Sequence, residues 1–292
     1  MTLKFEVYVA PQIDVNYNIT LPITGAVKWS PISSTLIYGE NEAILVDTPI
    51  TFEQNEELIE WVLSKLGNRQ LTRIYITHGH ADHFLGISLF KKRFPGIQAV
   101  ATLGTVEHMK QQLEPAIWDA RWAVYFPGKV PEKADVEMAE PLTGSIIYVD
   151  GYEVKVIELG QTDTHSSTAL WAPDLELAVC GDCVYGEVHQ MLGEVATPEK
   201  RKQWIKAIET IKTLNPKWVV AGHKRPDGED SPRFLNTTIQ YLLDFEEIVR
   251  GKPESSYILF EKMMEKHGER LNPAALEVGC HAVIAQVNEK EA

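Results

Sequence analysis

The sequence predicts an α/β protein in which strands and helices are interleaved. Three observations carry that expectation. Short apolar runs such as "AILVDT" (43–48) and "LTRIYIT" (71–77) have the length of buried strands. Residues 52–66 place Leu58, Ile59, Val62, Leu63 and Leu66 at helical spacing. The two types alternate through the first half of the chain, which is compatible with layered sheets covered by helices.

Taken in order, "STLIYG" (34–39) and "AILVDT" read as paired strands turning near Asn41. The 52–66 helix, the strand at 71–77, a helix from about Phe84 to Phe94 and the strand "IQAVA" follow. Residues 102–140 break the pattern. They read as two short helices split at Pro115 and a loop punctuated by Pro and Gly. Strands return in "GSIIYVDG", "YEVKVIEL", "STALWAP" and "LELAVCGD". A helix over 198–213, the strand "KWVVAG" (217–222), a helix over 231–250 and two tail helices broken near Gly268 and Pro273 complete the chain.

The 292 residues suffice for a sizeable core. A net charge of −13 argues against a nucleic-acid partner. Three cysteines, Cys180, Cys183 and Cys280, do not form a secreted disulfide framework. The start, "MTLKFEVYVAPQ", lacks signal-peptide character, and no stretch has the length of a membrane span. These features lead us to expect a cytoplasmic protein acting on a small molecule, without membrane attachment, and with a homodimer contact as one use of the tail helices.

The densest chemistry lies in "ITHGHADHF" (76–84), which holds three of the nine histidines, His78, His80 and His83, beside Asp82. One zinc ion takes about four ligands, so this loop and its surroundings suit two ions better than one. Further donors stand at strand ends: His165 in "LGQTDTHSSTALW", Asp182 in "LAVCGDCVYG" and His223 in "WVVAGHKRP". Rigid backbone there meets a loop, which fixes a ligand well.

The pattern His-x-His-x-Asp-His followed by His, Asp and His resembles the metallo-β-lactamase superfamily, over residues 35 to 224. The resemblance implies an αββα four-layer sandwich, with two mixed sheets face to face and metals at one edge. It implies a catalytic domain over 1–250, with 102–140 as a helical lid insertion and 251–292 as a helical extension packed on it. It also implies two Zn2+ ions per chain: one on His78, His80 and His165, one on Asp82, His83 and His223, with Asp182 bridging. Asp182 is more typical of the lactonase and glyoxalase II branches than of true β-lactamases. One departure is that the usual Pro-Gly-His-Thr around the third histidine reads "DTHSS" here. Asp47 matches a position that orients a ligand.

The activity so implied is a zinc hydrolase whose bridging hydroxide attacks a carbonyl and opens a lactam or lactone. Asp82 shuttles the proton and Tyr185 donates to the developing oxyanion. Trp118, Trp122, Phe126 and His189 are expected to line the substrate pocket, with Trp29 as a further wall. Two alternatives stand beside this. One is a glyoxalase II-like thioester or acyclic ester hydrolase, for which Lys224 and Arg225 would grip carboxylates. The other is an oxidoreductase resembling the mononuclear iron persulfide dioxygenases. Cys180 and Cys183 read as core, and Cys280, His108, His267 and His281 as helix residues without a special role.

Overall fold

The computed structural model describes residues 2–16 and 27–291. Six strands form the first sheet: β1 (Lys4–Ala10), β2 (Ile32–Tyr38), β3 (Glu42–Val46), β4 (Gln70–Tyr75), β5 (Gln98–Ala101) and β6 (Glu140–Pro141), hydrogen-bonded in that order. The β1–β2 and β2–β3 pairs are antiparallel and the remainder parallel. The second sheet contains β7 (Ile146–Val149), β8 (Tyr152–Gly160), β9 (Ser167–Ala172), β10 (Leu177–Val179) and β11 (Trp218–Val220). Here only the β10–β11 pair is parallel.

The period-two alternation of strand side chains builds three apolar layers. Ile44 and Val46 of β3 point between the sheets and meet Leu170 and Val179 from the other sheet. Their neighbours Ala43 and Leu45 point outward, onto α1 (Phe52–Leu66) and α2 (Ile87–Arg93). Ala169 and Ala178 of the second sheet point the other way. They pack beneath α4 (Pro198–Lys212), α5 (Arg233–Arg250), α6 (Ser256–His267) and α7 (Pro273–Glu291). The result is the helix–sheet–sheet–helix sandwich expected above. No helix among the described residues is long and apolar enough to cross a membrane.

The helix boundaries have local causes. Thr51 and Gln54 form a reciprocal capping box at the start of α1. Thr197 and Ser255 cap α4 and α6 through their side-chain oxygens. The helix expected from Phe84 begins only at Ile87, because residues 81–83 are spent on a tight 3-10 turn that shapes the histidine loop. In the 102–140 segment, α3 (Leu103–Gln112) is followed by a helical stretch from Pro115 to Tyr125 that widens to π-helix over Trp118–Trp122.

Candidate metal centre

The site lies where the ends of β4, β10 and β11 meet the start of β9, at one edge of the sandwich. Backbone bonds sew that edge together. The Thr168 amide donates to the Thr77 carbonyl at 2.9 Å, Ser33 to Gly222 at 2.8 Å, and Gly222 to Gly181 at 2.8 Å. Gly222 is required here. A Cβ on it would stand 2.2 Å from Asp182 Oδ1 and 2.6 Å from the Gly181 carbonyl carbon.

Two overlapping donor groups result. In the first, His80 Nδ1 stands 3.1 Å and His78 Nε2 4.0 Å from Asp163 Oδ2. In the second, Asp82, His83 and His223 converge. Asp182 joins them: its Oδ1 is 3.3 Å from His83 Nε2 and its Oδ2 3.1 Å from His223 Nε2, and it also groups with His78 and His83. All of these side chains are buried. His78 Nε2, His83 Nε2, Asp163 Oδ2 and Asp182 Oδ1 have no hydrogen-bond partner. Leaving so many buried polar atoms unsatisfied is costly, and a divalent cation held among them would satisfy them together. The nitrogen and carboxylate donors suit zinc or another first-row metal.

The far side of each imidazole is held as metal-ligating histidines require. His223 Nδ1 donates to the Pro31 carbonyl at 2.7 Å. His83 Nδ1 donates to Asp47 at 3.1 Å, and Asp47 in turn accepts from the Thr77 amide at 2.8 Å and hydroxyl at 2.7 Å. His78 Nδ1 faces the Thr77 hydroxyl at 3.1 Å. His80 turns its Nε2 to Glu194 at 3.1 Å.

The electrostatics of the metal-free cluster follow from burial and neighbours. Burial and the adjacent His83 push His78 down to about 3, so it is neutral. Burial opposes charge on His80, but Glu194 and Asp163 outweigh it and raise it to about 10. Burial likewise opposes the Asp182 charge, yet His223 and His83 hold its carboxyl well below the usual range. Burial and Asp182 raise Tyr185 well above its ordinary value, so its hydroxyl remains a donor. That hydroxyl donates to Asp182 Oδ2 at 2.7 Å.

His165 is not brought into the cluster. It is exposed, with Nε2 3.2 Å from Gln111 and Nδ1 3.1 Å from Ser166. The cause is a tight turn closed by the Thr162 amide on the Thr164 carbonyl at 2.8 Å, followed by Ser166 at φ 55°. This turn sends Asp163 inward and His165 outward. Asp163 and Glu194 were not singled out from the sequence. His108, read as having no special role, is buried beside His80 and groups with it and Glu194.

A cleft opens above the cluster, with Trp29, Trp122, Tyr185, His189 and Met191 among its walls. The Trp29 indole donates to Asp82 Oδ2 at 2.9 Å and packs edge-on against Trp122 and Phe126. Trp118 and Phe126, expected as pocket walls, are buried in the core under α1 and α3 and do not line the cleft. His189 lines it, with Nδ1 held by Tyr241 at 2.9 Å.

Fold and site together define a four-layer αββα protein with a buried, multi-histidine metal centre at the sandwich edge. Residues 27–223 match the sequence profile of the metallo-beta-lactamase superfamily, and the chain belongs to that superfamily. A protein from Bacteroides fragilis named "Metallo-beta-lactamase type 2" is 24% identical over 195 residues, covering 66% of this chain and 69% of the relative. One of the same name from Bacillus cereus is 26% identical over 195 residues, covering 66% and 67%. Among solved structures, a metallo-beta-lactamase family protein from Thermus thermophilus superposes with a TM-score of 0.62 at 18% identity, covering 97% of this chain and 94% of its own. The metallo-beta-lactamase from Pontibacter korlensis gives 0.56 at 17%, covering 83% and 100%.

Proposed function

We propose that this chain is a dinuclear zinc hydrolase that opens a cyclic amide or ester, a lactam or lactone, of a small molecule. The observation that carries the reading is the set of buried, unpartnered histidine and aspartate atoms on the floor of a cleft. His78, His80, Asp82, His83, Asp182 and His223 would hold the ions, with Asp163 beside them. Bound there, paired zinc ions supply a water acidified toward neutral pH and a Lewis acid for a carbonyl oxygen.

The chain's own groups do the rest. Asp82, fixed by the Trp29 indole, is placed to accept a proton and hand it to the leaving group. Tyr185 lines the cleft; its one proton is given to Asp182 Oδ2, and turned from Asp182 toward the cleft it would hydrogen-bond an oxygen that gains charge. Trp29, Trp122 and Met191 make an apolar wall that excludes water and suits a flat ring. The names of the curated relatives favour a lactam within this class.

The thioester alternative loses its sequence support, since both basic groups are engaged elsewhere. Lys224 is buried on Asp230 at 2.6 Å and the Gly228 carbonyl at 2.9 Å. Arg225 is tied to the Glu269 carbonyl and to Glu187. The test is proton release, followed with an indicator dye, from zinc-loaded protein on a panel of lactams, lactones and glutathione thioesters, with Asp182→Ala as control. Ring opening that vanishes in the variant is expected. Thioester cleavage alone, or a preparation holding one iron and no zinc, would overturn the reading.

A further inference from the structure

We infer that the first metal position is completed by Asp163 in place of a third histidine, and that Glu194 positions His80 for it. The inference rests on the proposed function only in requiring that the cluster binds divalent ions.

The argument for Asp163 is geometric. Its side chain is fully buried. Oδ1 accepts from the Thr162 hydroxyl at 2.8 Å. Oδ2 takes no well-aligned hydrogen bond and faces His80 Nδ1 at 3.1 Å and His78 Nε2 at 4.0 Å. A buried carboxylate oxygen aimed at two imidazole nitrogens is a ligand in search of a cation. His165, the residue the family pattern would supply, is exposed, with its ring against His108, which stands between it and His80. Bringing it in would require opening the Thr162–Thr164 turn and breaking its contacts with Gln111 and Ser166.

Glu194 links the ring to the loop. One carboxylate oxygen accepts from His80 Nε2 at 3.1 Å, and the other accepts from the Thr164 hydroxyl at 2.6 Å. The first contact holds the proton on Nε2, so that where a metal ion takes the place of the Nδ1 proton it is the Nδ1 lone pair that is turned toward it and Asp163. The second anchors the residue next to Asp163 in the chain. One side chain therefore sets both the orientation of an imidazole and the place of the carboxylate beside it. Glu194 touches neither substrate nor metal in this arrangement, so it is a positioning residue.

The test uses the full chain and zinc alone. Wild type, Asp163→Asn, Asp163→Ala, His165→Ala and Glu194→Gln are dialysed against Zn2+ and metal content is measured. Circular dichroism verifies the fold, and absorption spectra of the Co2+ forms report the ligand field. Wild type and His165→Ala are expected to hold the same number of ions with the same cobalt spectrum. The Asp163 variants are expected to hold fewer. Glu194→Gln is expected to weaken one ion by about 10–100-fold while leaving the other unchanged; a merely structural role would weaken both together. A folded Asp163→Ala with wild-type metal content, or a His165→Ala that loses an ion, would overturn the assignment. Asp163-dependent metal binding without any lactam or lactone cleavage would leave the assignment standing and remove the proposed function. A wild type that binds no ion would remove both.

Discussion

Gly222→Ala tests whether the site depends on close backbone approach. The added methyl would lie 2.2 Å from Asp182 Oδ1, so the carboxylate or the backbone must yield by at least about 0.8 Å to reach the 3.0 Å limit of real contacts. Neither is free to yield. Asp182 is gripped by His83, His223 and Tyr185. The glycine's amide and carbonyl are bonded to Gly181 and Ser33. Overpacking of this kind costs about 1–3 kcal/mol, which lowers the melting temperature of a chain this size by roughly 2–10 °C. Metal ligands tolerate displacements of only about 0.2 Å, so the shift should also weaken zinc binding if Asp182 is among the ligands, as proposed. Thermal melts of the metal-free forms read the first effect, and zinc titration calorimetry reads the second. A variant that melts like wild type and binds zinc with wild-type affinity would refute the reasoning.

Other consequences are checked separately. Tyr185→Phe removes a buried hydroxyl from a charged carboxylate and should cost about 1.5–3 kcal/mol in metal-free protein; unchanged denaturant midpoints would contradict the 2.7 Å contact. Glu246→Ala strips the buried Arg201 guanidinium of its anion and should cost about 3–5 kcal/mol, more than the double replacement Arg201→Met with Glu246→Leu. Equal losses would show that the pair does not matter as a pair. In the metal-free protein, His80 carries a raised value, so its ion pairs stabilise fully below the unfolded value of 6.5 and are lost as pH rises through about 10. The melting temperature of metal-free protein should therefore fall between these pH values, and that of zinc-loaded protein, whose His80 has already given up a proton, should fall less. A metal-free protein flat across that window would contradict the contacts of His80 with Asp163 and Glu194.

Much of this protein is written in local pattern. Short apolar runs marked the strands, and the helical spacing of apolar residues placed α1 at its observed bounds, where the structure adds the Thr51 cap. The histidine loop was legible because its donors are adjacent in the chain and leave a strand together. Asp182 and His223 were legible because each follows a short apolar strand. What decides the third donor of the first position is a turn: residues 163 and 165 are both polar, two apart, and equally able to ligate. Only the hydrogen bond that closes Thr162 on Thr164, and the left-handed Ser166 after it, decide which faces inward. Glu194, 114 residues from His80 in sequence, was out of reach for the same reason. The Trp118–Phe126 stretch shows the converse. Its aromatics suit a pocket wall as well as a core by composition, and the fold buries Trp118 and Phe126 in the apolar layer outside the first sheet while Trp122 also reaches the cleft. The sequence by itself marked the strands, the helices and most of the candidate donors, because periodicity and strand ends are local properties, while the sandwich came from the family resemblance that those donors carry. The tertiary structure alone decided which carboxylate faces the cluster and which aromatics line the cleft, because those depend on side chains brought together from opposite sheets.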